Sequence, residues 1–139
     1  MKPEAAKRYR LGLIGARGYV GSELIRLLAG HPDIDLAFVS SREREGQLLR
    51  VFEPDAPADM RYQNLTPGQA LLMEVDVLVL ALPNGLAGAW ARAYEDARSR
   101  TVLIDLSADF RFDPDWYYGL PELNRQDYRG QKRISNPGC

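Results

Sequence analysis

Residues 9–28 read YRLGLIGARGYVGSELIRLL, an apolar run, a glycine turn and an amphipathic stretch in immediate succession. Tyr9 to Gly15 has the apolar density of a short strand. In Val20 to Leu28 the apolar residues recur at helical spacing, with Val20, Leu24, Leu27 and Leu28 on one stripe, which predicts a helix laying that stripe on a sheet. Gly30 and His31-Pro32 supply the stop, and Ile34 to Val39 is strand-like again. The order strand, glycine turn, helix, strand is a βαβ unit.

Outward from this unit the alternation continues. Val75 to Leu82 reads VDVLVLAL, nearly continuous in apolar residues, as expected of a central parallel strand covered on both faces. Ala87, Trp90, Ala91, Tyr94 and Ala97 form another helical stripe, and Thr101 to Leu106 gives one more buried strand. The predicted fold is α/β: a doubly wound, Rossmann-type, mainly parallel sheet with helices on both faces, its ligand site beyond the carboxyl ends of the strands. Arg42 to Met73, with its charges and three prolines, yields only a helical stretch near Gln69 to Met73. Beyond Ser107 the chain is rich in aromatics, prolines and charges and shows no closing helix, so residues 1–139 are expected to be a dinucleotide-binding domain cut at the start of a second one.

Composition narrows the function. With 139 residues, 45% of them hydrophobic, the chain suits one globular core. Lysine plus arginine total 18 against 19 aspartate plus glutamate, and a net charge of -1 offers no bulk attraction to nucleic acid or anionic membrane. No apolar run approaches the roughly 18 residues of a membrane span, and Met1 to Arg10 is polar with no following signal region, so a cytoplasmic protein is expected. A single cysteine excludes an internal disulfide and a Cys-clustered zinc site, and no metal is expected. That cysteine is either a buried thiol or a reactive one.

Gly15, Gly18 and Gly21 have the spacing G-x-x-G-x-x-G between the first strand and its helix. Such a loop lets backbone approach a pyrophosphate while the helix N-terminus stabilises the anion, although glycines there can also serve only close packing. The loop residues expected to touch a dinucleotide are Gly15, Arg17, Gly18, Tyr19, Val20 and Gly21. An NAD-preferring site places Asp or Glu about 20 residues after the loop, on the ribose 2′-hydroxyl. Here the place reads Ser40-Ser41-Arg42, two hydroxyls and a guanidinium suited to a 2′-phosphate, which makes NADP the expected cofactor. The competing reading is that Arg42 merely opens the solvated run SREREG. Leu82 and Pro83 follow the central strand and are expected to wall the cofactor cleft, with Ser107 toward the nicotinamide.

Ser135-Asn136-Pro137-Gly138-Cys139 sets the cysteine after a Pro-Gly turn, from which a helix could begin and lower the thiol pKa. At this point GARGYVGSELIRLLAGHP (15–32), FVSSR (38–42), ALPNG (81–85), DLSADFR (105–111), YGLPEL (118–123) and SNPGC (135–139) stand in the order found in N-acetyl-gamma-glutamyl-phosphate reductases. The chain resembles that family over nearly its whole length and is similar, more distantly, to aspartate-semialdehyde dehydrogenases.

The resemblance implies that Cys139 attacks a small acyl phosphate, releases inorganic phosphate and forms a thioester that hydride from NADPH reduces to the semialdehyde. It also implies that the acid-base histidine lies in a second domain, which would supply substrate and oligomer contacts of a homo-oligomer, so these residues alone are not expected to complete the reaction. Arg111 is the candidate for binding a substrate phosphate or carboxylate, against the alternative of a salt bridge with Asp109 or Asp113. Many family members carry histidine where Asn84 stands, which argues against a necessary acid-base role at that position. Glu122, in YGLPEL, receives no assigned role. His31, beside Pro32 at a helix end, is expected to interact with terminal carbonyls or the helix dipole and not to be catalytic. Two other readings are a nucleotide-sensing module with an inert or redox-active thiol, and a related reductase acting on aspartyl or aminoadipyl phosphate.

Overall fold

The computed structural model describes residues 8–16 and 18–138. Among these residues seven strands form one sheet: β1 (Tyr9–Ile14), β2 (Ile34–Ser40), β3 (Tyr62–Gln63), β4 (Val77–Leu80), β5 (Val102–Asp105), β6 (Tyr117–Tyr118) and β7 (Arg133–Ser135). Their spatial order is β3-β2-β1-β4-β5-β7-β6, and the strand pairings are parallel throughout. The helices are α1 (Tyr19–Leu28), α2 (Pro67–Leu71), α3 (Ala87–Asp96) and α4 (Pro121–Asn124).

The chain runs outward from β1 to β2 and β3, then crosses back to β4 and continues the other way. Right-handed crossovers therefore place α1 on one face of the sheet and α2 with α3 on the other. Side chains alternate accordingly. Leu11, Leu13 and Val79 pack with Ile25 and Leu28 of α1. Ile14, Leu78, Leu80 and Leu103 pack with Ala70 of α2 and with Ala87, Trp90 and Tyr94 of α3. Gly12 is required on this second side, because a Cβ there would lie 2.2 Å from the Phe38 ring.

The predicted β1-α1-β2 unit, the central β4, the α3 stripe and β5 are all present. The face that α1 buries differs from the expected stripe. Gly21, Ile25 and Leu28 are its buried residues, while Val20 and Leu27 are 59% and 70% exposed. Leu28 belongs to both stripes; small Gly21, which the apolar count passed over, lets α1 settle closer on its other edge. Between Arg42 and Met73 the structure has a 3-10 turn (Leu49–Val51), the two-residue β3 and α2. The helix begins at Pro67, earlier than expected, because Thr66 and Gln69 form a reciprocal cap: Gln69 N donates to Thr66 Oγ1 and Thr66 N to Gln69 Oε1. After Ser107 the polar segment adds β6, α4 and β7, with β7 inserted between β5 and β6. Among the described residues no helix is long and apolar enough to cross a membrane.

Candidate dinucleotide-binding site

The direction of strand order reverses between β1 and β4, and the crevice at such a switch point is where doubly wound sheets bind ligands. The loops after β1, β2, β4 and β5 leave the sheet at this end, at residues 15–16 and 18, 41–43, 81–86 and 106–111. A cleft of about 580 Å³ lies among the first three, lined by Gly15, Gly18, Ser40, Ser41, Arg42, Leu82 and Pro83, together with Asn64, Leu65, Leu86 and Trp90.

The glycine loop is held close to both neighbouring strands. Gly15 N and Ala16 N both donate to Ser40 O, at 2.9 and 3.1 Å. Gly15 has φ +78°, and a Cβ on it would come within 2.4 Å of Ala81 O, so only glycine brings the loop this near β4. Gly18 caps α1 at φ +103° with no side chain on the helix end, and the space a Cβ would occupy there is open. Gly21 serves packing instead, since its Cβ would lie 2.9 Å from the Ala16 carbonyl carbon.

At the end of β2 the two serines diverge. Ser40 Oγ accepts from Leu65 N at 3.0 Å and so ties β2 to the loop leading into α2. Ser41 donates its N–H to Gln63 O, but its Oγ is buried with no hydrogen-bond partner among the described residues. A buried hydroxyl without a protein partner is satisfied by a water, an ion or a ligand atom. Arg42 is exposed beside it. Arg44 is not available to the cleft, since its guanidinium lies 3.8 Å from the Phe52 ring centroid and donates to Tyr62 Oη at 3.1 Å.

The loop after β5 forms a second cluster. Asp105 is fully buried and accepts from both the N–H and the hydroxyl of Ser107, at 3.1 and 2.7 Å. Burial pushes its carboxyl pKa up, opposed by those two hydrogen bonds. Ser107 Oγ also accepts from Asp109 N at 3.1 Å, so this serine is buried and committed within the loop, away from the cleft lining. Arg111 donates to the carbonyls of Asn136 and Leu106, at 3.2 and 3.4 Å. Neither expected salt-bridge partner is engaged this way: backbone N–H groups of Gly85 and Ala87 donate to the Asp109 carboxylate, and Asp115 N donates to Asp113 Oδ1. Asn136 N donates to Asp105 O at 2.8 Å, and the turn then carries Gly138 against Arg111, where a Cβ would sit 2.3 Å from Nη1.

The structure thus brings Gly15, Gly18, Ser40, Ser41, Arg42, Leu82 and Pro83 to one cleft and leaves Tyr19, Val20, Gly21, Ser107 and Arg111 outside its lining. Tyr19 and Val20 instead border an apolar groove on the α1 face, with Leu24, Leu27, Val79, Ile104 and Leu106. Arg17 and Cys139 lie outside the described residues. Asn64, Leu65, Leu86 and Trp90 escaped sequence reasoning. Trp90 read only as core, and Asn64 and Leu65 follow a strand too short to show a period. Glu122 is exposed on α4. His31 Nδ1 accepts from the N–H groups of Asp33 and Ile34, both at 3.1 Å, so it caps the entry to β2 and does not meet helix carbonyls as expected.

A doubly wound parallel sheet with a glycine loop at its switch point and a cleft open to both halves defines a dinucleotide-binding domain. The chain belongs to the semialdehyde dehydrogenase NAD-binding domain family, whose model matches residues 10–131. It is 56% identical over 131 residues to N-acetyl-gamma-glutamyl-phosphate reductase of Stenotrophomonas maltophilia, covering 94% of this chain and 41% of that protein. The Xylella fastidiosa (strain 9a5c) protein of the same description is 54% identical, with 94% and 39% covered. This chain therefore spans about two fifths of the length of these relatives. Among solved structures it is similar to aspartate semialdehyde dehydrogenase II of Vibrio cholerae complexed with ASA, with TM-score 0.72 and 25% identity, covering 96% of this chain and 42% of that one.

Proposed function

We propose that residues 1–139 are the cofactor-binding part of an NADP-dependent reductase that converts N-acetyl-gamma-glutamyl phosphate to N-acetylglutamate semialdehyde in arginine biosynthesis. The observation that carries this reading is the end of β2, where Ser41, whose buried hydroxyl has no partner among the described residues, and the exposed Arg42 occupy positions 41 and 42, with Glu43 next to them in the same cleft lining. The residues fit NADP: Ser41 and Arg42 would hold the 2′-phosphate, the Gly15–Gly18 backbone and the start of α1 the pyrophosphate, and Leu82 with Pro83 the nicotinamide side. When bound, the cofactor supplies a hydride.

Chemistry at the acyl group belongs to Cys139. Its thiolate attacks the acyl carbon, a C–S bond forms, the C–O bond to phosphate breaks and inorganic phosphate leaves. After reduction the same thiolate is expelled and the aldehyde is released, so one sulfur serves as nucleophile and as leaving group. Arg111 is suited to the substrate phosphate or carboxylate, because its guanidinium is fastened at the turn immediately before Cys139 and retains donors beyond the two used on Asn136 and Leu106. Ser107 orders the loop that carries Arg111. The only histidine, His31, uses Nδ1 to cap a turn at the far end of α1, and the family resemblance assigns proton transfer to a histidine of a second domain.

The groove on the α1 face supports a second domain in the full-length protein. Its apolar residues come from α1, from β1, β2, β4 and β5 and from the start of the loop after β5, and Asn136, where the chain leaves β7, is at its border. We place the remainder of the longer, homo-oligomeric protein there.

Titration with NADPH and NADH, followed by nicotinamide fluorescence, tests the cofactor assignment. Wild type should prefer NADPH, and Arg42→Ala should lose about tenfold in NADPH affinity, the value of one charge-assisted contact, with little change for NADH. Equal affinity of wild type for both nucleotides would remove the assignment.

A further inference from the structure

The two loops that flank the reaction end of the cleft are fastened to each other by a reciprocal exchange of side-chain and backbone hydrogen bonds. Asn84, after β4, accepts from Ala108 N through Oδ1 at 2.9 Å. Asp109, after β5, accepts from Gly85 N through Oδ1 at 2.7 Å and from Ala87 N through Oδ2 at 3.1 Å. Each loop thus gives the other a side-chain acceptor. The clasp sits between the cofactor wall, Leu82 and Pro83, and the segment that runs from Ser107 to Arg111.

We infer that Asn84 and Asp109 are positioning residues that set the distance between the nicotinamide wall and the Arg111 loop. The inference rests on the cofactor reading above and extends it to residues that touch neither cofactor nor substrate. Two physical arguments favour it. The β4 and β5 loops leave neighbouring parallel strands with no ladder to hold them once the strands end, so side chains must supply the connection. Asp109 is also the last member of a chain of hydrogen bonds from the buried Asp105 through Ser107, so the clasp is anchored in the core and does not float on the surface.

Residue chemistry at position 84 is then defined: what matters is an acceptor at the δ position. Histidine places a neutral Nδ1 at the same point, two bonds beyond Cβ, so asparagine and histidine are interchangeable here without any acid-base function. Leucine has the shape of asparagine but no acceptor.

The test compares two ligands on the 139-residue chain. NADPH reaches both ends of the cleft, whereas adenosine 2′,5′-bisphosphate occupies only the end at Ser41 and Arg42. In Asn84→Leu the dissociation constant for NADPH should rise about fivefold, the loss of one hydrogen bond's worth of ordering, while that for the bisphosphate stays within about twofold. Asn84→His should restore NADPH binding to within about twofold of wild type, and Asp109→Asn, which keeps one acceptor, should fall between. Thermal unfolding midpoints of the two Asn84 variants should remain close to wild type, because Asn84 is exposed.

Unchanged NADPH affinity in Asn84→Leu overturns the inference alone. A parallel loss of both ligands also overturns it, since residue 84 would then serve general stability. A histidine variant as weak as leucine removes the acceptor argument. Wild type that binds NADPH no more tightly than the bisphosphate overturns the inference through the nicotinamide wall, and wild type that binds neither overturns the cofactor reading and the inference together.

Discussion

The two faces of the sheet differ in how completely they are covered. On the side of α2 and α3, Phe38, Leu78, Leu80, Tyr94 and Leu103 are all essentially inaccessible. On the side of α1, Val77, Ile104 and Leu106 are only partly buried and Val20 and Leu27 are open to solvent. The difference lies in where the cover sits: α2 and α3 together cover one side, whereas on the other α1 and the segment of residues 49–62 cover the β1 and β2 half and leave Val79, Ile104 and Leu106 bordering a groove. An apolar surface of this kind on a folded domain marks a contact yet to be made.

Truncations on the two faces should have different costs. Leu80→Ala, on the closed face, should lower the unfolding free energy by about 3 kcal/mol, whereas Leu27→Ala on the open face should stay within about 0.5 kcal/mol. Urea denaturation of the two variants measures this, and equal losses would mean the groove is not open. Tyr94→Phe should move stability the other way. The Tyr94 hydroxyl is buried without a partner among the described residues, and burial alone pushes its pKa up to about 12, so removing it should stabilise by about 1 kcal/mol. A loss on the same denaturation assay would show that the hydroxyl has a partner.

On the open face, the expected effect is on association. The chain should self-associate at high concentration through the groove, and Leu24→Lys with Leu27→Lys should return it to monomer in sedimentation velocity without loss of NADPH binding. A wild type that stays monomeric would show that α1 leaves too little apolar area to hold a second copy.

The smallest effect concerns pH. Asp105 lies on the closed side of β5, and its folded pKa is raised above the ordinary 3.8 by burial. Its protonated form is the one favoured in the fold. The stabilisation is therefore full below the unfolded pKa and is lost as pH rises through the folded value. Asp105→Asn should remove this dependence, so denaturation midpoints of wild type should fall relative to the variant as pH climbs from below 3.8 toward neutrality. Parallel curves would mean that the hydrogen bonds from Ser107 fully offset burial.

How much was legible depended on length and period. β1, α1, β2, β4, α3 and β5 each carry enough apolar residues to show alternation or a stripe, and their order implied the parallel sheet. β3 and β6 have two residues each and β7 three, too few for a pattern, and their pairing with neighbours supplies the stability their own sequence lacks. In the candidate site, the loops announced by glycines and by Ser40-Ser41-Arg42 were readable because backbone strain and charge need particular residue types. Trp90, Asn64 and Leu65 were not, since nothing in a side chain's identity tells which cleft its neighbours will make.

Sequence alone determined the βαβ alternation, the glycine loop at the first strand's end and the serines and arginine at positions 40 to 42, because period, φ > 0 and charge are local properties. Tertiary structure alone decided that α1 would bury Gly21 and Ile25 in place of Val20 and Leu27, that Ser41 would keep a free hydroxyl while Ser40 engaged its own, and that Asn84 and Asp109 would clasp two loops. These outcomes depend on which strands become neighbours, and neighbours distant in the chain are chosen by crossover handedness and close packing, which no local pattern records.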